Sequence, residues 1–178
     1  TWTEEDSDFA QRNIAKTSLA LGDAFLTAQG LYHWSCVERG KRLENLIGDN
    51  EGHEFFDLLR WHASGRRFKL RPHLDKGLSG EKIETRLEEI LPMARKIWLW
   101  VESERLRHSF ADTEAYLHFR QTKTPGTFWL KNVVLNARFF GWRSVCGARG
   151  FRYPRERLFD ALTAALWADD PLRSTILK

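Results

Sequence analysis

The run from Ile14 to Leu46, IAKTSLALGDAFLTAQGLYHWSCVERGKRLENL, sets the pattern for the chain. Its apolar residues Ile14, Leu19, Ala20, Phe25, Leu26 and Ala28 do not keep to one narrow stripe, so the helix they predict is enclosed by others on several sides. That helix covers residues 3–29, with Thr3 as N-cap, the acids Glu4, Glu5 and Asp6 at the positive end of its dipole, and Gly30 as its stop. Gly22 in its middle costs up to about 1 kcal/mol of helix propensity relative to alanine, which calls for a second helix or a ligand packed closely there. An aromatic corner, Leu31-Tyr32-His33-Trp34, leads to a second helix. It begins either at Ser35, which has capping-box spacing to Glu38, or near Tyr32, and it ends at Ile47 before Gly48.

A third helix is capped by Asp49 or Asn50, carries Phe55, Leu58, Leu59 and His62 at helical spacing, and stops at Gly65. The segment Arg66 to His73 then alternates, ends in Pro72-His73, and reads as an exposed basic connection. Ser79 opens a fourth helix that Pro92 must break or kink; beyond it Met93, Ile97, Trp98 and Val101 form a stripe through Leu106, with Trp100 off the stripe and touching something else. Asp112 starts a short helix closed by Lys123-Thr124-Pro125-Gly126. The segment Thr127 to Phe140 is apolar on most faces and belongs inside, apart from a ridge of Asn132 and Asn136 flanked by Lys131 and Arg138 that either emerges at the surface or lines a cavity. After a glycine-punctuated loop, Pro154 takes the first position of a last helix whose core face is Leu158, Phe159, Leu162, Ala165 and Leu166. Six or seven helices with no strand pair and no repeat predict an all-α fold, a single helical bundle over residues 1–178 with the first hairpin at its centre.

Composition adds little to the fold but narrows the chemistry. At 178 residues the chain buries a sizeable core without staples. Cys36 and Cys146 make no CxxC pair, so a reduced, cytoplasmic setting is the default expectation. No run of roughly 18 apolar residues predicts a membrane span. The first residues, TWTEED, are acidic and lack methionine, and the chain reads as a piece of a longer one. A net charge of +4 is mild, but Ala115 to Arg155 contains no Asp or Glu while holding Arg120, Lys123, Lys131, Arg138, Arg143, Arg149, Arg152 and Arg155. The eight tryptophans read as large core and rim residues.

No dinucleotide fingerprint, phosphate loop, HExxH pair or nucleophile elbow is present, so neither metal nor cofactor is expected and no catalytic residue is assigned. The carboxylate pairs Glu4/Asp8 and Glu84/Glu88 read as solvated helix faces. Two constellations remain. In the basic connection, Arg67 and His73 stand six positions apart; either this is an ordinary polar loop, or the histidine acts as general base and the arginine steadies charge on a phosphodiester. In the acid-free quarter, Lys131, Arg138, Arg143, Arg149, Arg152, Tyr153 and Arg155 stand with Trp129 and Trp142. Either they contact phosphates and bases, or the arginines pair with the acids of Glu81 to Glu104.

The residues SLALGDAFLTAQGLYHWSCVERGKRLENL, through Gly22-Asp23-Ala24, the Gly30-x-Tyr32 corner and the Ser35/Arg39 pair, resemble the first helical hairpin of bundles that accompany minimal nucleotidyltransferases, the HEPN and kanamycin-nucleotidyltransferase C-terminal class. The likeness covers about a sixth of the chain. It implies a helical accessory domain that binds substrate or nucleotide for a nucleotidyltransferase-like partner domain or a larger parent chain, the Gly-Ser and Asp-x-Asp metal motif of that class being absent here. HEPN ribonucleases carry an Arg-x4-6-His motif on a helix, and the match here, Arg67 to His73, falls in the segment read as a loop. The expected ligand contacts are Asp23, Tyr32, Arg39, Lys131 and Arg138, in a concave site between the first hairpin and the 127–140 helix. The alternatives are an RNA-binding or RNA-cleaving HEPN-like domain using Arg67, His73, Arg143, Arg149, Arg152 and Arg155, and a protein-interaction bundle marked by Trp98, Trp100 or Trp142.

Overall fold

The computed structural model describes residues 2–48, 53–119, 121–124 and 126–169, and for Ala148 and Arg149 the backbone alone. The caps expected at Asp49 or Asn50, together with Arg120 and Pro125, lie outside the described residues. Seven α-helices and two short 3-10 helices account for the regular structure, with no strand among the described residues. The all-α expectation therefore holds, and the chain divides into two compact units, Thr1–His108 and Ser109–Lys178.

The first unit consists of α1 (Glu4–Ala28), α2 (Cys36–Ile47), α3 (Asp57–Leu70) and α4 (Gly80–Leu106). Local chemistry sets the first boundaries. Thr3 and Asp6 cap each other reciprocally at 3.1 Å. The Asp6 carboxyl is held below its usual range first by the Thr3 hydroxyl, which donates to the carboxylate at 2.6 Å, and then by the Thr3 N–H. At the other end Gly30 takes φ 71°, letting the Leu31 N–H reach back to the Leu26 carbonyl at 2.8 Å. Ser35 caps α2, which decides between its two candidate starts.

α1 touches α2, α3 and α4, so the expected centrality of the first helix holds within this unit. Leu21, Phe25 and Leu26 of α1 meet Leu43 and Ile47 of α2, Leu58 and Trp61 of α3, and Ile90 and Ile97 of α4 in one core. Trp100, off the α4 stripe, stacks on Phe25 at 4.7 Å and meets Phe55 edge-on at 5.7 Å, which is the contact its position demanded.

Of the two outcomes expected at Pro92, a break does not occur: α4 is continuous, Ile83, Ile90 and Ile97, seven residues apart, are all buried, and burial on both sides of the proline offsets a cost of about 3 kcal/mol. A second expectation fails. α3 does not stop at Gly65 but runs on to Leu70, so Arg66 to Leu70 are helical rather than an exposed connection. Gly65 is buried against α1, where a Cβ would lie 2.5 Å from the Leu19 nitrogen and 2.6 Å from the Ala15 carbonyl oxygen. Gly22 plays the reciprocal part on α1, a Cβ there overlapping the His62 ring. Both glycines serve close helix approach, and the close packing expected at Gly22 comes from α3.

The second unit holds α5 (Thr113–His118), α6 (Trp129–Phe140), 3-10 helices at Trp142–Val145 and Ala148–Phe151, and α7 (Pro154–Trp167). Asp112 caps α5 through the Ala115 N–H at 2.7 Å. Phe110 packs edge-on against Tyr116 and Phe119. Contrary to expectation, α6 and α7 turn their polar sides inward. Asn132 and Asn136 are buried, while Leu130, Val134, Phe139 and Phe140 are exposed; on α7 Glu156, Asp160 and Thr163 are buried, while Leu158, Phe159, Leu162 and Leu166 are exposed.

The reason lies in the irregular stretch between the two helices, whose carbonyls have no strand or helix partner. Asn136 Nδ2 donates to the carbonyls of Gly150 (2.9 Å) and Arg152 (2.7 Å), and Asn132 Nδ2 to that of Phe151 (3.1 Å). Asp160 collects the Lys123 ammonium at 2.6 Å and the Arg152 guanidinium at 3.1 Å. Burial pushes the Lys123 ammonium below its ordinary value, with Asp160 opposing that shift.

Alanine substitution separates the roles of the glycines. Gly65→Ala drives a methyl group into α1 backbone and is expected to lower the free energy of urea unfolding by about 1–3 kcal/mol, with Gly22→Ala in the same range. Gly40→Ala meets only the movable end of Arg66 and is expected to change stability by less than about 0.5 kcal/mol. A Gly65→Ala protein as stable as the parent would refute the close α1–α3 approach.

Asp160→Asn leaves two buried or half-buried cations short of a charge, at an expected cost of about 3–5 kcal/mol to the second unit. Amide exchange across residues 113–167 is the readout, and unchanged protection there would show that the ion cluster does not hold the unit together.

Candidate functional site

The continuation of α3 past Gly65 contributes to a cleft in the first unit. Arg60, Ser64, Arg67 and Arg71 succeed one another at intervals of four, three and four, so the first three share one face of α3 and Arg71 follows at its C-cap. They line a cleft of about 420 Å³ with Gln11, Ile14 and Ala15 of α1 opposite and Arg86 and Glu89 of α4 at the side. Beyond Arg71 the chain turns at Pro72, which puts His73 and Asp75 on the rim of the same cleft.

The path of that turn is held from α1. Buried Gln11 accepts the Asp75 N–H on its Oε1 at 2.9 Å and donates from Nε2 to the Asp75 carbonyl at 3.2 Å. The Asp75 carboxylate in turn meets Arg86 at 3.2 Å, and Arg60 lies 4.0 Å from Glu89 and over the Trp61 ring. Those two arginines are partly neutralised. Among the described residues neither Arg67, Arg71 nor His73 has a carboxylate partner, so the cleft has a net positive lining. Arg67 and His73, six positions apart in sequence, are brought together here; Arg60, Arg71, Arg86 and Gln11 were not singled out from sequence. For Arg60 and Arg71 the signal was the helical spacing of 60, 64, 67 and 71, which is visible only if α3 continues past Gly65; Gln11 and Arg86, on other helices, had none.

Three of the residues expected to contact ligand also meet one another. Arg39, 1% exposed, places its Nε 2.5 Å from Asp23 Oδ1 with the N–H not aimed at that oxygen, so the contact is coulombic rather than a formed hydrogen bond. Its Nη1 donates to the carbonyls of His33 (2.8 Å) and Trp34 (3.0 Å), and its guanidinium lies 5.0 Å from the Tyr32 ring centroid. His62, equally buried, sits 3.4 Å from the same Asp23 oxygen. The cluster pins α1, α2, α3 and the aromatic corner together, and Tyr32 is its exposed member.

Lys131 and Arg138 belong to α6 of the second unit, where both are exposed. Arg143 and Arg155 are exposed as well, whereas Arg152 is turned inward, to Asp160 and to the Phe119 carbonyl at 2.6 Å. The side chain of Arg149 lies outside the described residues. Acids of the stretch 81–104 meet cations of the first unit, Glu89 with Arg60 and Glu102 with Arg105 at 2.6 Å. Among the described residues no group of three His, Cys, Asp or Glu converges as a metal site, and no helix is long and apolar enough to cross a membrane.

Comparison with protein-family models, with curated proteins and with solved structures finds no match to this chain, so any functional reading rests on the residues and geometry above.

Proposed function

We propose that the first unit is a helical accessory domain that binds a phosphate-bearing ligand, a nucleotide or an RNA phosphate, in the α1/α3/α4 cleft and serves a nucleotidyltransferase-like partner domain. The observation that carries this reading is the convergence of Arg67, Arg71 and His73, none held by a carboxylate, on one concave surface. A guanidinium fork matches two phosphate oxygens at once, and a cleft with low-dielectric walls strengthens the attraction. Arg60 and Arg86 supply further charge while Glu89 and Asp75 keep them in place. Phe68 offers an apolar wall beside the cations. The partner domain is inferred from the resemblance of the first hairpin, and the Asp23–Arg39 pair then serves to fix the hairpin corner.

A second reading is favoured by the placement of Arg67 and His73 on the same cleft, with Arg67 on a helix. In an RNA-cleaving domain His73 would take the proton of a 2′-hydroxyl as that oxygen attacks the adjacent phosphorus. The bond to the 5′-oxygen breaks, the leaving oxygen takes a proton from water, and Arg67 steadies the charge on the phosphorane.

Binding of adenosine triphosphate and of a short single-stranded RNA, followed by calorimetry, tests the first reading. The double substitution Arg67→Ala with Arg71→Ala is expected to weaken whichever ligand binds by roughly tenfold or more, and the parent affinity is expected to fall with added salt. Binding that survives the double substitution unchanged, or that ignores salt, would refute the cleft as the site.

For the second reading, RNA incubated with the parent protein is expected to yield fragments and with the His73→Ala protein none, while both bind RNA comparably. Cleavage that persists at equal rate without the histidine would rule this reading out.

A further inference from the structure

The residues on the outward side of α7 and just past its end are complementary in size and charge about Leu162. Leu158 and Leu166 lie four positions to either side, Phe159 and Ala165 three, and Arg155 and Asp169 seven. The four large members, Leu158, Phe159, Leu162 and Leu166, are 58%, 50%, 54% and 53% exposed, and Arg155, Ala165 and Asp169 are exposed too. The opposite side of α7 is committed to its own unit through Glu156, Asp160, Thr163 and Ala164. An amphipathic helix normally buries such a stripe, and a contiguous exposed one marks an interface.

The complementarity of the pattern names the occupant. When two identical helices cross antiparallel at Leu162, each residue faces its mirror position on the other. Leu158 then meets Leu166, and the ring of Phe159 lies over the small Ala165. Arg155 comes to the C-terminal end of the other helix, near Asp169, which stands past the extended C-cap Ala168. Arg155 stands in the first turn of its own helix, where the dipole disfavours a cation, and antiparallel pairing sets it beside the negative C-terminal end of the other helix. A parallel pair would instead stack phenylalanine on phenylalanine and arginine on arginine. We propose that α7 is a self-association surface, and that a second copy of this chain packs antiparallel across it with the two-fold axis at Leu162. Such a contact is isologous and closes on itself. One helical stripe covers less than the roughly 800 Å² per partner of a standard stable interface, so a weak dimer is expected, with a dissociation constant of about a micromolar or higher. This surface is independent of the cleft, and its test reads association rather than ligand binding.

The test uses the full chain with Cys146→Ser, which removes the exposed thiol. Sedimentation is expected to show dimers at about 100 µM that dissociate on dilution. Leu162→Glu is expected to leave a monomer with unchanged helical circular dichroism. Arg155→Asp is expected to weaken the dimer a few-fold, and Arg155→Asp together with Asp169→Arg to recover it. Under mild oxidation Leu162→Cys is expected to form a disulfide with itself, and Leu158→Cys to cross-link with Leu166→Cys chains but not with its own kind. A monomer at every concentration, a dimer indifferent to Leu162→Glu, or self-cross-linking at Leu158→Cys would each overturn the proposal.

Discussion

The distance between α1 and α3 governs the first unit. Two glycines set it from opposite sides: Gly65 brings α3 onto α1 backbone, and Gly22 makes room on α1 for the ring of His62. Because the helices lie this close, Gly65 is buried inside the helix and α3 continues past it to Leu70, where a glycine in an isolated helix would favour a stop. The same approach seats His62 beside Asp23, whose carboxylate also meets Arg39 of α2. The cleft depends on this geometry as well, since Arg67 stands on the turn of α3 beyond Gly65 and Arg71 at the end of that turn.

The second unit solves its packing with polar groups. A stretch of irregular backbone between α6 and α7 demands donors, and two asparagine side chains provide them from the face of α6 that then has to lie inside. Charges follow the same direction. Lys123, fully buried with its ammonium 3.6 Å from the Tyr116 ring centroid, needs Asp160, and Asp160 fixes which side of α7 faces inward. The apolar stripes are turned outward as a consequence of satisfying backbone and charge first.

What could be read from sequence divides along the same line. The ends of α1 and the end of α2 were legible to within a residue because Thr3, Gly30 and Gly48 act on atoms a turn away, while the start of α2 stood open between Ser35 and Tyr32. The contact made by Trp100 was foreseen in kind, as a residue off its stripe, but not its partners Phe25 and Phe55. Gly65 was misread because stop and close approach use the same residue, and only a distant segment decides between them. The orientation of α6 and α7 failed for a related reason. An apolar stripe states which side gains from burial, while the partner that buries it is not written in the stripe. Of the cleft, only Arg67 and His73 were visible beforehand, and the cluster of Asp23, Tyr32 and Arg39 was recognised as a set without its fourth member, His62.

The two hydrogen bonds from Gln11 to Asp75 go to main-chain atoms, not to a side chain. The course of the rim is therefore inherited from a helix some sixty positions earlier, and the identities of Pro72, His73, Leu74 and Lys76 are left out of that contract. Side chains there can change without loss of the two bonds that hold the chain in place, so natural variation can alter the lining of the cleft while the framework stays intact. In a set of related sequences the signature of such a division would be a constant glutamine in the first helix facing a rim whose composition drifts.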